Sequence, residues 1–180
     1  MISPAWGPFL FDTSAESWIA RPRDARVVSW LQEYLSLHEI HVSATTVLER
    51  IRGYGLLVCE ATGRRREQIE SAQVAYLTGL GKVLPVDTAV AIVAGEIMAR
   101  IPNPLTSPRR THRLVESRQD RLVRWRFDVM IAATALTHRM TLVHNNAADF
   151  EAIRAAVETS PERFPGIGPL VLIRCDSLAG

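Results

Sequence analysis

Pro8-Phe9-Leu10-Phe11-Asp12-Thr13-Ser14 decides the fold class. An apolar run of strand length stops at a carboxylate, and the chain beyond it has the three- and four-residue apolar spacing of a helix. Across residues 14–37 that spacing is carried by Trp18, Ile19, Val27, Val28, Trp30, Leu31, Tyr34 and Leu35, and the Arg21-Pro22-Arg23 break predicts two helices in place of one. The strand-then-helix unit recurs. Apolar runs at 40–43, 83–86, 140–144 and 170–174 read as further strands. Helical spacing covers 46–59, with Gly53 and Gly55 expected to loosen its second half, then 67–80, 88–101, 128–138 and 149–157. Strands that alternate with helices predict an α/β fold in three layers, with a mainly parallel five-stranded central sheet flanked by helices.

The segment 102–108 holds Pro102, Pro104 and Pro108 without any period, and reads as a loop. Residues 111–125 are polar but can carry a helix with Leu114, Val115, Leu122 and Trp125 turned inward. Residues 160–169 are turn-rich. No linker is long enough to divide the chain, so 1–180 reads as a single domain with a basic inserted segment at about 101–127.

Composition narrows the class. Apolar residues make up 47% and charged residues 22%, the balance of an ordinary globular protein. Cys59 and Cys175 have no ligand-type spacing, which argues against a disulfide scaffold and a structural zinc site and makes the cytoplasm the expected compartment. The opening residues lack the basic lead and long apolar run of a secretory signal, and no stretch reaches the roughly 18 apolar residues of a membrane span. Net charge is only +2, yet Arg100, Arg109, Arg110, Arg113, Arg118, Arg121, Arg124 and Arg126 face only Glu116 and Asp120 over 100–126. Such a basic stripe beside an acidic remainder suggests contact with a polyanion, and its bland reading is a solvated helix face.

Four acids carry the functional reading. Asp12 ends the first strand, Glu49 lies about one and a half turns into the helix after the second, Asp128 opens the short helix expected at 128–138, and Asp149 follows the fourth strand. In a parallel sheet, groups just beyond the carboxyl ends of strands collect at one edge. Crowded carboxylates repel one another, and a divalent cation resolves the conflict. An all-oxygen donor set suits Mg2+ or Mn2+, which keep waters and leave room for a phosphate. The chemistry expected is phosphodiester hydrolysis by a metal-activated water. Each acid also has an ordinary reading. Asp12 or Thr13 can cap the next helix, with Glu16 completing a capping box. Asp128 and Asp149 stand where N-caps belong. Glu49 can be a surface residue, though Val47, Leu48 and Ile51 crowd it. Composition and spacing leave both readings open.

Taken together, these stretches resemble the PIN-domain family, specifically its VapC-like toxins, over nearly the whole chain. The motifs are a strand ending in Asp12-Thr13-Ser14; Ser43-Ala44-Thr45-Thr46-Val47-Leu48-Glu49-Arg50-Ile51-Arg52-Gly53; Asp128-Val129-Met130-Ile131-Ala132-Ala133-Thr134-Ala135; and His144-Asn145-Asn146-Ala147-Ala148-Asp149-Phe150. Val83-Leu84-Pro85-Val86-Asp87 is similar to the strand and turn before the family's fourth long helix. The resemblance implies a three-layer PIN-like fold and an endoribonuclease toxin dependent on Mg2+ (or Mn2+). It also implies a homodimer, and an antitoxin that blocks the cleft and links the toxin to operator DNA. It assigns catalysis and metal binding to Asp12, Glu49, Asp128 and Asp149, with Thr13, Ser14, Thr46 and Asn146 in support. Candidate RNA contacts are Arg109, Arg110, Arg113, Arg118 and His144. Departures are His144-Asn145 in place of the usual Thr-Arg, and a longer arginine-rich segment and chain. The alternatives are a PIN-like module that acts by binding an antitoxin on operator DNA, with little catalysis, and a DNA nuclease with the same metal chemistry.

Overall fold

The computed structural model describes residues 2–22, 24–104, 108 and 115–179. Five strands form the sheet: β1 (Phe9–Phe11), β2 (His41–Ser43), β3 (Lys82–Leu84), β4 (Thr141–His144) and β5 (Leu172–Arg174). Seven α-helices accompany them among the described residues: α1 (Thr13–Ile19), α2 (Ala25–Leu37), α3 (Ala44–Glu60), α4 (Gly63–Thr78), α5 (Thr88–Arg100), α6 (Arg118–Thr137) and α7 (Ala147–Glu158). The strand order is β3-β2-β1-β4-β5, and every pairing is parallel. The expected α/β fold with its five-stranded sheet is therefore what the chain adopts, and the sheet is wholly parallel. Its order reverses at β1: the chain leaves β1 for β2 on one side and returns as β4 on the other. Such a switch point opens a crevice beyond the carboxyl ends of the two strands.

β1 is buried at all three positions, as a central strand covered on both faces must be. Its side chains alternate between two cores. Leu10 joins Leu84 and Leu142 against α5, α6 and α7, while Phe9 and Phe11 join Val143 against α1 and α2. On the second face Trp30 and Tyr34 stack with ring centroids 5.1 Å apart, and Phe9 stacks on Tyr34 at 5.6 Å. The Tyr34 hydroxyl also accepts the Phe9 N–H at 2.9 Å, which ties α2 to the start of β1. α3 packs on α1 and α6, and α4 packs on α3.

Several expectations are corrected. The helix expected at 128–138 and the part of the expected 111–125 helix from Arg118 on belong to one helix, α6, which runs for 20 residues from Arg118. Its N-cap is Ser117, whose Oγ accepts the Asp120 N–H at 3.0 Å, so Asp128 lies mid-helix and caps nothing. No Gly or Pro interrupts 118–137, and Trp125 is buried with its Nε1 donating to the Ile101 carbonyl at 3.0 Å. Val115, expected inward, is exposed, and Leu114 lies outside the described residues. α3 continues through Gly53 and Gly55 without a break. The 14–37 region does split around Pro22, into α1 and α2.

Tyr34→Phe keeps the stacked ring and removes the acceptor of a buried N–H. It should lower unfolding free energy by about 1–3 kcal/mol in a urea titration with an unchanged m-value. An unchanged midpoint would show that the Phe9 N–H does not depend on Tyr34.

Candidate active site

Asp12 is the first residue after β1. Its N–H extends the ladder to the Val143 carbonyl at 3.0 Å, so its side chain stands at the β1–β4 switch point. Oδ1 accepts the Ala15 N–H at 2.6 Å, which makes Asp12 the N-cap of α1, and the Ser14 hydroxyl donates to Oδ1 at 2.9 Å. Capping and site membership are thus one role for Asp12. Burial pushes its carboxyl up to about 6, and nearby Glu49 adds to the rise, while the Ala15 and Ser14 hydrogen bonds oppose it.

Glu49, on α3, accepts a short hydrogen bond from the Thr13 hydroxyl. Thr13 rather than an apolar crowd holds it, for Leu48 is 57% exposed. Thr46 is fully buried, and among the described residues its Oγ1 has no hydrogen-bond partner. Ser43 caps α3 by accepting the Thr45 N–H at 2.9 Å.

Asp128 and Asp149 are joined by Asn146, whose Nδ2 donates to Asp128 Oδ2 at 2.9 Å and to Asp149 Oδ2 at 2.8 Å. Asn146 holds the N-cap position of α7, and Asp149 lies in that helix's first turn, not at the cap. Asp149 is completely buried. Burial raises the Asp128 carboxyl well above the ordinary range, and Asp149, Asp12 and Glu49 each raise it further. The other three sequence-identified acids therefore all act on the Asp128 carboxyl of α6, from the end of β1, from α3 and from α7.

Arg124 enters this group. Its Nη1 donates to Asp149 Oδ2 at 2.9 Å, and its Nε and Nη2 clasp both oxygens of Glu116 at 2.9 and 3.0 Å. It partly offsets the repulsion at Asp128. Among the described residues, no three carboxylate, imidazole or thiolate side chains are disposed to hold a metal ion in this arrangement. Asp149 Oδ2 accepts from Arg124 and Asn146, and Asp12 Oδ1 from Ser14 and Ala15. The donors are nonetheless all oxygens on carboxylates that repel one another, which is the chemistry of a site for a hard divalent cation.

The PIN-domain family model matches residues 9–156, well over half of the chain. The protein belongs to the PIN-domain family. Toxin FitB of Neisseria gonorrhoeae is 30% identical to this PIN domain over 153 residues, covering 82% of this chain and 94% of FitB. Among solved structures, FitAB bound to an IR36 DNA fragment is similar at a TM-score of 0.53 and 25% identity, over 93% of this chain and 95% of that one. VapBC2 from Rickettsia felis, bound to a DNA fragment from its promoter, shares the fold at a TM-score of 0.56 and 15% identity, over 92% and 97% of the two chains.

Other expected site residues of this PIN domain fall elsewhere. His144 is 1% exposed, packs on Phe150 at 5.0 Å between ring centroids, and is pulled down to about 4 by burial and then by Arg174. A neutral core imidazole does not reach RNA, so His144 is removed from the candidate contacts. Arg118 is exposed at the first turn of α6, while Arg109, Arg110 and Arg113 lie outside the described residues. Arg124 and Glu116 lie within the basic stripe, whose composition does not single them out. The signal was available: Arg124 precedes Asp128 by four residues, hence shares its helix face once α6 is drawn as continuous.

The buried carboxyl of Asp12 has a consequence for stability. Its value of about 6 lies above the roughly 3.9 of an unfolded aspartate. In metal-free buffer the native state therefore binds more protons than the unfolded chain between about pH 4 and 6, and stability rises as pH falls through that window. Asp12→Asn keeps a good N-cap and removes the charge, so it should stabilise the EDTA-treated protein by about 1–3 kcal/mol near pH 7.5 and lose that gain near about pH 4. A variant less stable than the parent at both pH values would contradict this assignment.

Proposed function

We propose that this PIN domain is an Mg2+- or Mn2+-dependent endoribonuclease that serves as the toxin of a toxin–antitoxin pair. The observation that carries the reading is the convergence of Asp149, Asp12 and Glu49 on Asp128 at the carboxyl edge of the sheet. Convergence of four acids from four elements raises electrostatic energy in the metal-free fold, and a protein has reason to keep it only where a cation is to be bound.

Asp12, Glu49, Asp128 and Asp149 would hold the cation. Mg2+ or Mn2+, when bound, supplies positive charge against the phosphate and activates water for hydrolysis. The protein's own contribution is orientation. Ser14 fixes Asp12, Thr13 fixes Glu49, and Asn146 sets the spacing of Asp128 and Asp149. Such outer partners determine where each carboxylate points. Arg118, with Arg109, Arg110 and Arg113, would contact RNA phosphates as guanidinium groups do.

Support for protein partners comes from two sides. Thr13 and Glu49 open onto a groove along α3 that Tyr54, Leu56 and Leu57 also line, and Leu56 and Leu57 are 52% and 46% exposed. Apolar surface running into a charged site suits a partner segment that covers it. The relatives in solved structures stand in complexes bound to DNA. In this reading a cognate antitoxin blocks the cleft and brings the toxin to operator DNA, and the toxin is a homodimer in the cytoplasm. No helix of the described residues is long and apolar enough to cross a membrane.

Purified protein with Mg2+ should cut single-stranded RNA and leave 5′-phosphate and 3′-hydroxyl ends, because water attacks in place of the ribose 2′-hydroxyl. Asp128→Asn should reduce the rate by more than about 100-fold, beyond the usual loss for an outer-shell partner. Cleavage at the parent rate by both Asp12→Asn and Asp128→Asn would place the chemistry elsewhere, and a preference for DNA would overturn the substrate.

A further inference from the structure

Arg124 is placed unlike the rest of the arginine-rich segment. Its side chain is 11% exposed, while Arg118 and Arg126 point to solvent. Three of its N–H groups are engaged, one by the completely buried Asp149 and two by Glu116, itself 11% exposed. The Glu116 pairing is bidentate, the geometry in which a guanidinium and a carboxylate bind best. The Asp149 contact is a single bond to an oxygen already held by Asn146. Arg124 thus has a firm anchor just ahead of α6 and a weaker hold inside the acid group.

Resting on the cation-site reading above, we propose that Arg124 is an internal counter-ion that competes with the divalent cation for Asp149. In the metal-free protein its guanidinium does at Asp149 what the cation does in the loaded protein. With Asp149 held by a cation, Arg124 would give up that one bond and stay clasped by Glu116. The arrangement explains two features together. A completely buried Asp149 is tolerated because a charge-assisted hydrogen bond pairs it. A guanidinium also stands among acids whose oxygens suit a hard cation. Metal occupancy is then set by two competing partners, and Glu116 tunes the balance: the harder it holds Arg124, the more easily Asp149 is released.

Mn2+ binding to the whole chain, measured by isothermal titration calorimetry, tests this without reference to catalysis. Arg124→Gln should bind Mn2+ about tenfold tighter than the parent, the worth of one charge-assisted hydrogen bond. Glu116→Gln should bind it several-fold weaker, since Arg124 then has Asp149 as its main anion. Asp128→Asn, which leaves the Arg124 contacts in place, should lose most of the affinity. Thermal unfolding in EDTA is the second measurement. Arg124→Gln should melt below the parent, and saturating Mn2+ should raise its melting temperature by more than it raises the parent's. If Arg124→Gln binds Mn2+ with parental or weaker affinity while Asp128→Asn loses it, Arg124 is only a structural tie and the counter-ion proposal fails with the cation site intact. If neither the parent nor Arg124→Gln binds Mn2+ saturably, the cation-site reading itself fails.

Discussion

Mutual repulsion among buried carboxylates at the carboxyl edge of β1 and β4 is the constraint around which this protein is arranged. Each acid removed from water must be protonated, hydrogen-bonded or paired with a cation. Hydrogen bonds and an ion pair are in use, and burial pushes two of the carboxyls toward protonation. The Asp12 carboxyl is pushed up to about 6, and Asp128 is held well above its ordinary value. Ser14, Ala15, Thr13 and Asn146 supply donors, and Arg124 supplies the charge. The donors lie on the first residues of helices or just before them, where backbone N–H groups are unsatisfied and the helix dipole favours an anion.

The fold makes this concentration of charge possible. A parallel sheet whose order reverses at β1 leaves a crevice between two strand ends, and Asp12 and Asn146 follow those two strands. Aromatic packing of Phe9, Trp30 and Tyr34 beneath β1, and the apolar faces of α5, α6 and α7 on the other side, hold the strand ends fixed. The apolar burial stabilises what the carboxylates destabilise. In a PIN domain arranged this way, stability and the proposed function pull against each other at one place, and under that proposal a bound cation would relieve the conflict.

Most of the fold was legible because its signals are local. The strands reveal themselves as short apolar runs, and Pro22 marks the split between α1 and α2. What failed was the start of α6. The stretch ahead of Asp128 is rich in arginine and poor in apolar periodicity, so its helicity depends on the Ser117 cap and on Trp125 reaching the core, which are tertiary facts. That one error hid the rest of the site's chemistry. With Asp128 at the start of a short helix, Arg124 has no reason to face the acids. His144 failed for the converse reason: its position at a strand end suggested exposure, and only packing against Phe150 shows that it is sealed in. Asp12, Glu49, Asp128, Asp149 and Asn146 were legible through their motifs. The motifs did not reveal which carboxyl oxygens are already committed.

These acids are proposed to form a divalent-cation site. Anomalous diffraction at the manganese edge, from crystals of the protein grown with saturating Mn2+, tests it most directly. The expected map has a peak at about 2.1 Å from a carboxylate oxygen of Asp128 and from at least one of Asp12, Glu49 and Asp149. A map with no peak in this crevice, and with Asp149 still paired to Arg124, would contradict it.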